Sequence, residues 1–259
     1  MNDQINREID VHGREWHKLH EGYFSNPDVA SPLITKTLEI AAKSKAGTIV
    51  DLGGGVGFLL SQLLKNGIDP NIALINLDGS ENQLNEILDK RIMCAHNAVD
   101  QFKRSDLGDE NNRFLYLMRS VLHYFGESGL RSALRHIRSQ TQPGEFFIHQ
   151  TASFEHAKDA DIMNTLYKLM YTDKWYPTVA FLKESLEKEG WHVMDILPAE
   201  SLKLTQQELQ LRYNLSSGDI LNIQKELSTF TNIARDVFVE NADGFTAYLH
   251  YWIYICEPV

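Results

Sequence analysis

The sequence predicts an α/β fold built on a doubly wound, mostly parallel sheet. Short apolar or β-branched runs alternate with stretches of helical spacing between Gly47 and His149, the pattern of βαβ units. Four glycines in five residues, Gly53-Gly54-Gly55-Val56-Gly57, stand between the first strand and the helix after it. Asp51, Asp78 and Asn97 stand at the carboxyl ends of the first three strands, where sheets of this kind bind ligands.

Residues 1–30 read as short helical pieces, with Asn26-Pro27-Asp28 as a turn. A helix is expected from Ser31 to Lys43, with Ser31 as its N-cap, Pro32 at its first position and Ile34, Leu38, Ala41 and Ala42 as its apolar stripe. Gly47 to Leu52 reads as strand one and Phe58 to Leu64 as the helix after it. Asn71 to Leu77 reads as strand two, with a helix over Glu81 to Lys90. Arg91 to Ala95 and Arg113 to Met118 read as strands three and four. Ser128 to Gln140 is helical, and Pro143-Gly144 turns the chain into strand five, Glu145 to His149. Asp159 to Met170 reads as a helix. Thr178 caps another, Val179 to Glu189, which stops at Gly190. Trp191 to Leu197 and Phe245 to Cys256 read as the last two strands, with a largely helical stretch between them. The division that follows is a helical N-terminal cap over 1–46 and a main domain over 47–259, with helical insertions at about 155–177 and 201–240.

Of the 259 residues, 43% are hydrophobic and 23% charged, an ordinary globular balance. No apolar run approaches the roughly 20 residues that span a bilayer. Met1 to His20 is polar, with no secretory h-region. The two cysteines, Cys94 and Cys256, match no metal-ligand spacing and sit in apolar stretches, so both read as buried thiols in a reducing, cytoplasmic setting. The formal net charge of −10 opposes nucleic acid as a partner, because phosphate recognition calls for a basic field.

The chemistry concentrates in Asp51-Leu52-Gly53-Gly54-Gly55-Val56-Gly57, a D-x-G-x-G-x-G loop. Glycines let the backbone turn tightly and approach a ligand without a Cβ in the way. An acid at the strand end accepts hydrogen bonds from a ligand ammonium. The dinucleotide fingerprint G-x-G-x-x-G fails, because its last position falls on Phe58 or Leu60, and no G-K-[ST] follows for a phosphate loop. Asp78 at the end of strand two suits a ribose diol, or else caps the helix starting near Ser80. The Asn97 side chain and the Ala98 amide suit an adenine edge, or else a plain turn.

Together these residues resemble the class I S-adenosylmethionine-dependent methyltransferase family, small-molecule type, from about Thr48 to Gln150 and more weakly to Val259. The glycine loop is similar to the family's first motif, Asp78 to its ribose-binding acid, and Asn97 to the residue beside the adenine. Met118-Arg119-Ser120-Val121-Leu122-His123-Tyr124-Phe125 is similar to the stretch after strand four. Gln142-Pro143-Gly144-Glu145 is similar to the turn before strand five. The resemblance implies a seven-stranded Rossmann-like sheet whose last strand runs antiparallel. It implies S-adenosyl-L-methionine as cofactor, held by Asp51, Gly53, Gly54, Gly55, Gly57, Asp78, Gly79, Asn97, Ala98 and Ser120. It implies methyl transfer to a small-molecule acceptor, with His123 as a base where the acceptor is a hydroxyl. Tyr23, Tyr171 and Trp175 are the expected acceptor-binding residues, from the leading helices and the aromatic segment after strand five. His12, His17 and His20 lack a carboxylate or cysteine companion at a familiar spacing, so no metal is expected. The expected partners are a small-molecule substrate and a second copy in a homodimer, with neither nucleic acid nor membrane. An RNA or protein methyltransferase and an inactive methyltransferase-like binding protein are the competing readings. Strand four is followed by no [DN]-P-P-[YF] motif, which counts against base-amine methylation.

Overall fold

The computed structural model describes residues 22–230 and 236–259. Its first helix, α1 (Pro27–Ser44), starts earlier than expected. The Asn26 side chain accepts the Asp28 amide and Pro27 fills the first turn, so Asn26-Pro27-Asp28 is a helix cap and not a free turn. Ser31 and Pro32 lie inside the helix on its exposed side, where the amide that proline lacks costs one ladder bond. Leu33, Ile34, Thr37, Ile40 and Ala41 form the buried stripe.

From there strands and helices alternate. They are β1 (Thr48–Leu52), α2 (Phe58–Lys65), β2 (Ala73–Asp78), α3 (Glu81–Leu84), β3 (Ile92–His96), β4 (Phe114–Arg119), α4 (Gly126–Ser139) and β5 (Phe146–Ala152). Helix α3 is a single turn, much shorter than expected. Asp89 takes the Arg91 amide and guanidinium onto its carboxylate, a local alternative to helical bonding over residues 85–91. The second half of the chain carries α5 (Ala157–Leu169), α6 (Val179–Lys188), β6 (Trp191–Thr205), α7 (Gln206–Arg212), α8 (Ser217–Ser228), β7 (Phe238–Asn241) and β8 (Gly244–Pro258).

The sheet order is β3-β2-β1-β4-β5-β8-β6, with β7 paired to β8. The first five strands are mutually parallel, and β8 runs antiparallel to β5 and β6. The seven expected strands are therefore present with the last one antiparallel, and β7 is an eighth. Every residue of β1 is buried, as in a sheet covered on both faces. Chain order reverses between β1 and β4, which opens a crevice at their carboxyl ends. One face packs on α1 and α2 through Leu33, Leu60 and Leu63, the other on α4 and α6 through Leu134, Leu182 and Trp191.

The stretch read as a helical insertion over 201–240 is only partly helical. Leu202 and Leu204 are buried between exposed neighbours, the period of a strand, and they extend β6 to Thr205. β7 then pairs with the start of β8, so β6 and β7 flank it on opposite sides at Thr246 and Ala247. Pro198 is tolerated because β6 is an edge strand. Cys256 is buried as expected, whereas Cys94 is exposed on β3, the edge strand, where Met93 and His96 are exposed as well.

A buried ion pair fixes the end of the sheet opposite the crevice. Arg104 donates to both carboxylate oxygens of Glu145 at 2.8 and 2.7 Å, and Glu145 also accepts the Phe114 and Gln142 amides. Its carboxylate thus ties the starts of β4 and β5 to the Arg104 turn. Glu145→Ala is expected to lower the unfolding free energy by about 3–5 kcal/mol, because it leaves the guanidinium buried without its counter-ion. Urea denaturation monitored by far-UV circular dichroism reads this directly.

Candidate functional site

The crevice is built on the glycine turn after β1. Gly53 donates to the Leu77 carbonyl at 2.7 Å, which lays the turn against the end of β2. Gly53, Gly55 and Gly57 have φ of +72°, +55° and +74°, a region that side chains disfavour. At Gly54 space decides: a Cβ would lie 2.1 Å from Asn76 Oδ1 and 2.7 Å from the Asp51 carboxylate. The loop is as close to two polar side chains as a backbone gets.

Those side chains are aimed at the turn. Asp51 and Asn76 are register partners on β1 and β2. Asn76 donates to the Gly55 carbonyl at 2.8 Å, and its Oδ1 is buried with no hydrogen-bond partner. Asp51 is 1% exposed, and neither carboxylate oxygen has a partner. Burial and the nearby Asp78 push its pKa up to about 8, against a smaller opposing effect from Arg119. A buried carboxylate without donors, beside a glycine cradle, is a demand for a cationic donor such as an ammonium. Asn76 was absent from the residues expected on sequence grounds. Its signal is an amide set inside the apolar run Leu74-Ile75-Asn76-Leu77.

Asp78 lies at the end of β2 and accepts the Gly55 amide on one oxygen and the Ser80 amide on the other, each at 2.8 Å. Its pKa is raised, chiefly by burial. Each oxygen keeps a further lone pair, so the carboxylate retains acceptor capacity toward a diol. Ser80, and not Asp78, is the cap of α3. A Cβ on Gly79 would meet nothing within 4 Å, so that position places no demand for glycine on steric grounds. At the end of β3, Asn97 accepts the Ala98 amide at 2.8 Å and donates to Asp106, closing a local turn.

The crevice continues beyond β4. Ser120 has φ +61° and is held by the Gln150 carbonyl and by the Tyr251 hydroxyl, 2.7 Å from its Oγ. A Cβ on Gly53 would come within 2.7 Å of Val121, so the cradle and the β4 end are in contact. Arg119 lies over the Tyr23 and Phe24 rings and donates to the Phe24 carbonyl. Tyr23 is buried, its hydroxyl donating to the Glu200 carbonyl and its ring 5.7 Å from that of Tyr251. A cavity of about 20 Å³, lined by Ser120, His123, Tyr124, Tyr176, Tyr251 and others, opens between β4 and the helical additions. His123 is buried there, its ring stacked 5.2 Å from Tyr176.

None of the three expected acceptor residues lines this cavity, and Tyr23 packs behind it with its hydroxyl on the Glu200 carbonyl. Tyr171 is 73% exposed, and its hydroxyl bonds Asp219. Trp175 packs edge-on against Phe181 and lines a wider outer groove of about 720 Å³. That groove meets the inner cavity at Lys174 and Tyr176, which line both. His149 does not line the cavity: it is buried within β5, bonded to Thr151 and stacked on its β8 register partner Tyr254. His12, His17 and His20 lie outside the described residues, and no cluster of potential metal ligands occurs among the described ones.

No family model matches the chain. It is 23% identical over 204 residues to O-methyltransferase 12 of Dictyostelium discoideum, a match that covers 77% of this chain and 54% of that protein. The chain thus spans about half the length of that relative. Among solved structures, a putative methyltransferase from Bacillus halodurans superposes with a TM-score of 0.70 at 14% identity, covering 87% of this chain and 99% of that one. The chain shares the fold of that methyltransferase. A methyltransferase from Thiobacillus denitrificans, solved with S-adenosylhomocysteine, matches over 100% of this chain and 99% of its own at a TM-score of 0.55 and 13% identity. In this methyltransferase fold the crevice between β1 and β4 is where the glycine turn, Asp51 and Asp78 converge.

The raised Asp51 pKa has a signed consequence. The folded protein keeps the proton to about pH 8, whereas the unfolded chain loses it near 3.8. The stability this proton confers is therefore full below pH 3.8 and is lost as pH rises through about 8. Asp51→Asn is expected to remove that slope, so that the variant gains on the wild type between about pH 5 and pH 8 in urea melts across that range.

Proposed function

We propose that the chain is an S-adenosylmethionine-dependent methyltransferase acting on a hydroxyl of a small molecule, with residues 47–259 as its catalytic domain and 1–46 as a cap. The observation that carries this reading is the buried, donorless Asp51 facing a glycine cradle that Asp78 closes from the other side. Asp51 takes the cofactor's ammonium, Asp78 its ribose hydroxyls, and the Gly53–Gly57 backbone its amino-acid portion, with Gly79, Asn97 and Ala98 toward the adenine. The cofactor supplies a sulfonium-bound methyl group, already electrophilic, so the protein's task is alignment of the acceptor and exclusion of water. Ser120 at the β4 end would bound the cofactor site, and the cavity it lines is the acceptor site. His123 lines the cavity and takes the proton of the acceptor hydroxyl. The similarity to an O-methyltransferase supports an oxygen acceptor.

Isothermal titration with S-adenosylhomocysteine tests the reading. Binding at about pH 7 is expected to release close to one proton, seen as a heat that changes with the buffer's ionisation enthalpy, because the ligand ammonium ionises Asp51. The release is expected to vanish in Asp51→Asn, and Asp78→Ala to weaken binding by about tenfold or more. Absence of binding in the wild type refutes the cofactor assignment. His123→Gln is expected to leave that affinity unchanged while lowering the turnover of a phenolic acceptor about 100-fold or more, measured as S-adenosylhomocysteine formed.

A further inference from the structure

The segment between α5 and α6 runs through residues 172–177 without helix or strand, yet Tyr176 within it is only 2% exposed. Buried irregular backbone needs partners for its N–H and C=O groups. At Tyr176 one side chain serves both. Asn164, within α5, accepts the Tyr176 amide on Oδ1 at 2.8 Å and donates from Nδ2 to the Tyr176 carbonyl at 2.9 Å. Among side chains of this shape, an ionised aspartate has no donor and a leucine has neither group. Three residues further along α5, on the same side of the helix, Tyr167 packs edge-on against the Tyr176 ring with 4.8 Å between centres. Helix α5 thus grips Tyr176 by its backbone and by its ring.

The ring held in this way lies over His123, 5.2 Å between centres and 25° between planes. The residue before it, Trp175, donates its amide to the His123 carbonyl at 3.2 Å. His123 itself sits in a four-residue turn after β4, Leu122–Phe125. A turn fixes the backbone of a histidine but leaves the plane of its ring a broad choice, which a stacked neighbour narrows. Burial holds the Tyr176 phenol far above the ordinary tyrosine range, so the residue stays neutral and offers the imidazole a ring face and no charge. Tyr176 and His123 both line the inner cavity, whereas Asn164 lines the outer groove alone.

We propose that Asn164 is a positioning residue for the His123 imidazole and acts through Tyr176. The amide fixes the Tyr176 backbone, and the Tyr176 ring sets the plane of the histidine toward the inner cavity. The proton that His123 takes belongs to the methyltransferase reading, on which this inference rests for its catalytic consequence. The placement of the ring stands on the contacts themselves.

The test is a double-mutant cycle of Asn164→Leu and Tyr176→Leu with two readouts. The first is the set of imidazole ring-proton NMR signals of His123, identified by their loss in His123→Gln. The Tyr176 ring current displaces them in the wild type. Asn164→Leu and Tyr176→Leu are each expected to abolish that displacement, and Tyr176→Phe to keep it. Asn164→Asp retains the acceptor for the Tyr176 amide and loses the donor, and is expected to fall between the wild type and Asn164→Leu. The second readout is turnover of catechol at saturating S-adenosylmethionine, measured as S-adenosylhomocysteine formed. Each leucine variant is expected to lower kcat about 10- to 100-fold, with S-adenosylhomocysteine affinity unchanged. The double variant is expected to be no slower than Tyr176→Leu alone, because the effect of Asn164 passes through that ring. An asparagine that only braced the loop would still slow the reaction when Tyr176 is already leucine. Additive losses, or His123 signals that stay in place in both Asn164 variants, would overturn the proposal. The His123 signals are read without cofactor, so a wild type that binds no S-adenosylhomocysteine would fail the cofactor reading alone.

Discussion

The glycine turn after β1 is fastened to β2 by four hydrogen bonds. Gly53 and Gly54 donate to the Leu77 carbonyl, Gly55 donates to Asp78, and Asn76 donates to the Gly55 carbonyl. The geometry exists only without side chains, since a Cβ on Gly54 would overlap both Asn76 and Asp51. The rest of the site depends on it. The turn sets where α2 begins, brings Gly53 against Val121 at the end of β4, and leaves Asp51 enclosed. Parallel pairing of β1 with both β2 and β4 supplies the fixed frame on which that turn is held.

Two buried carboxyl groups occupy opposite ends of this sheet, and they differ in how they are satisfied. At the amino ends of β4 and β5, Glu145 is saturated by Arg104 and two backbone amides, which makes it a structural fastener. At the carboxyl ends, Asp51 has no donor and keeps a proton instead. A carboxylate completely satisfied within the protein has little capacity left for a ligand, whereas one left unsatisfied transfers its demand to whatever enters. The contrast puts an unsatisfied carboxyl group at one end of the sheet and a saturated ion pair at the other.

The glycine turn and the two acids beside it were legible in the sequence, because a tight turn at positive φ at the end of a buried strand demands particular residues at particular spacings. Asp51, the four glycines and Asp78 each hold positions that other residue types would spoil. Asn76 was readable in principle, as a polar residue within an apolar strand, but a single such residue resembles a turn-former. The cavity beyond β4 was less legible. Tyr171 shares a helical spacing with Tyr167, yet α5 ends at Leu169 and the chain passes through φ +59° at Tyr171, which turns its ring out to solvent. Lys174 and Arg212, which line that cavity, gave no signal, since a lysine or an arginine in a helical addition reads as a solvated charge until the tertiary structure covers it. The long β6 and β8 pair was partly hidden, because its buried leucines alternate over only four residues before α7 begins.

The narrowness of the cavity beyond β4 has a bearing on side reactions. A space of about 20 Å³ admits one water at most, and it is walled by stacked aromatic rings. With its walls closed, the space beside Ser120 faces rings and not bulk solvent, so a reaction set there would be shielded from water. Any molecule larger than a water must therefore part those walls before it can occupy the space.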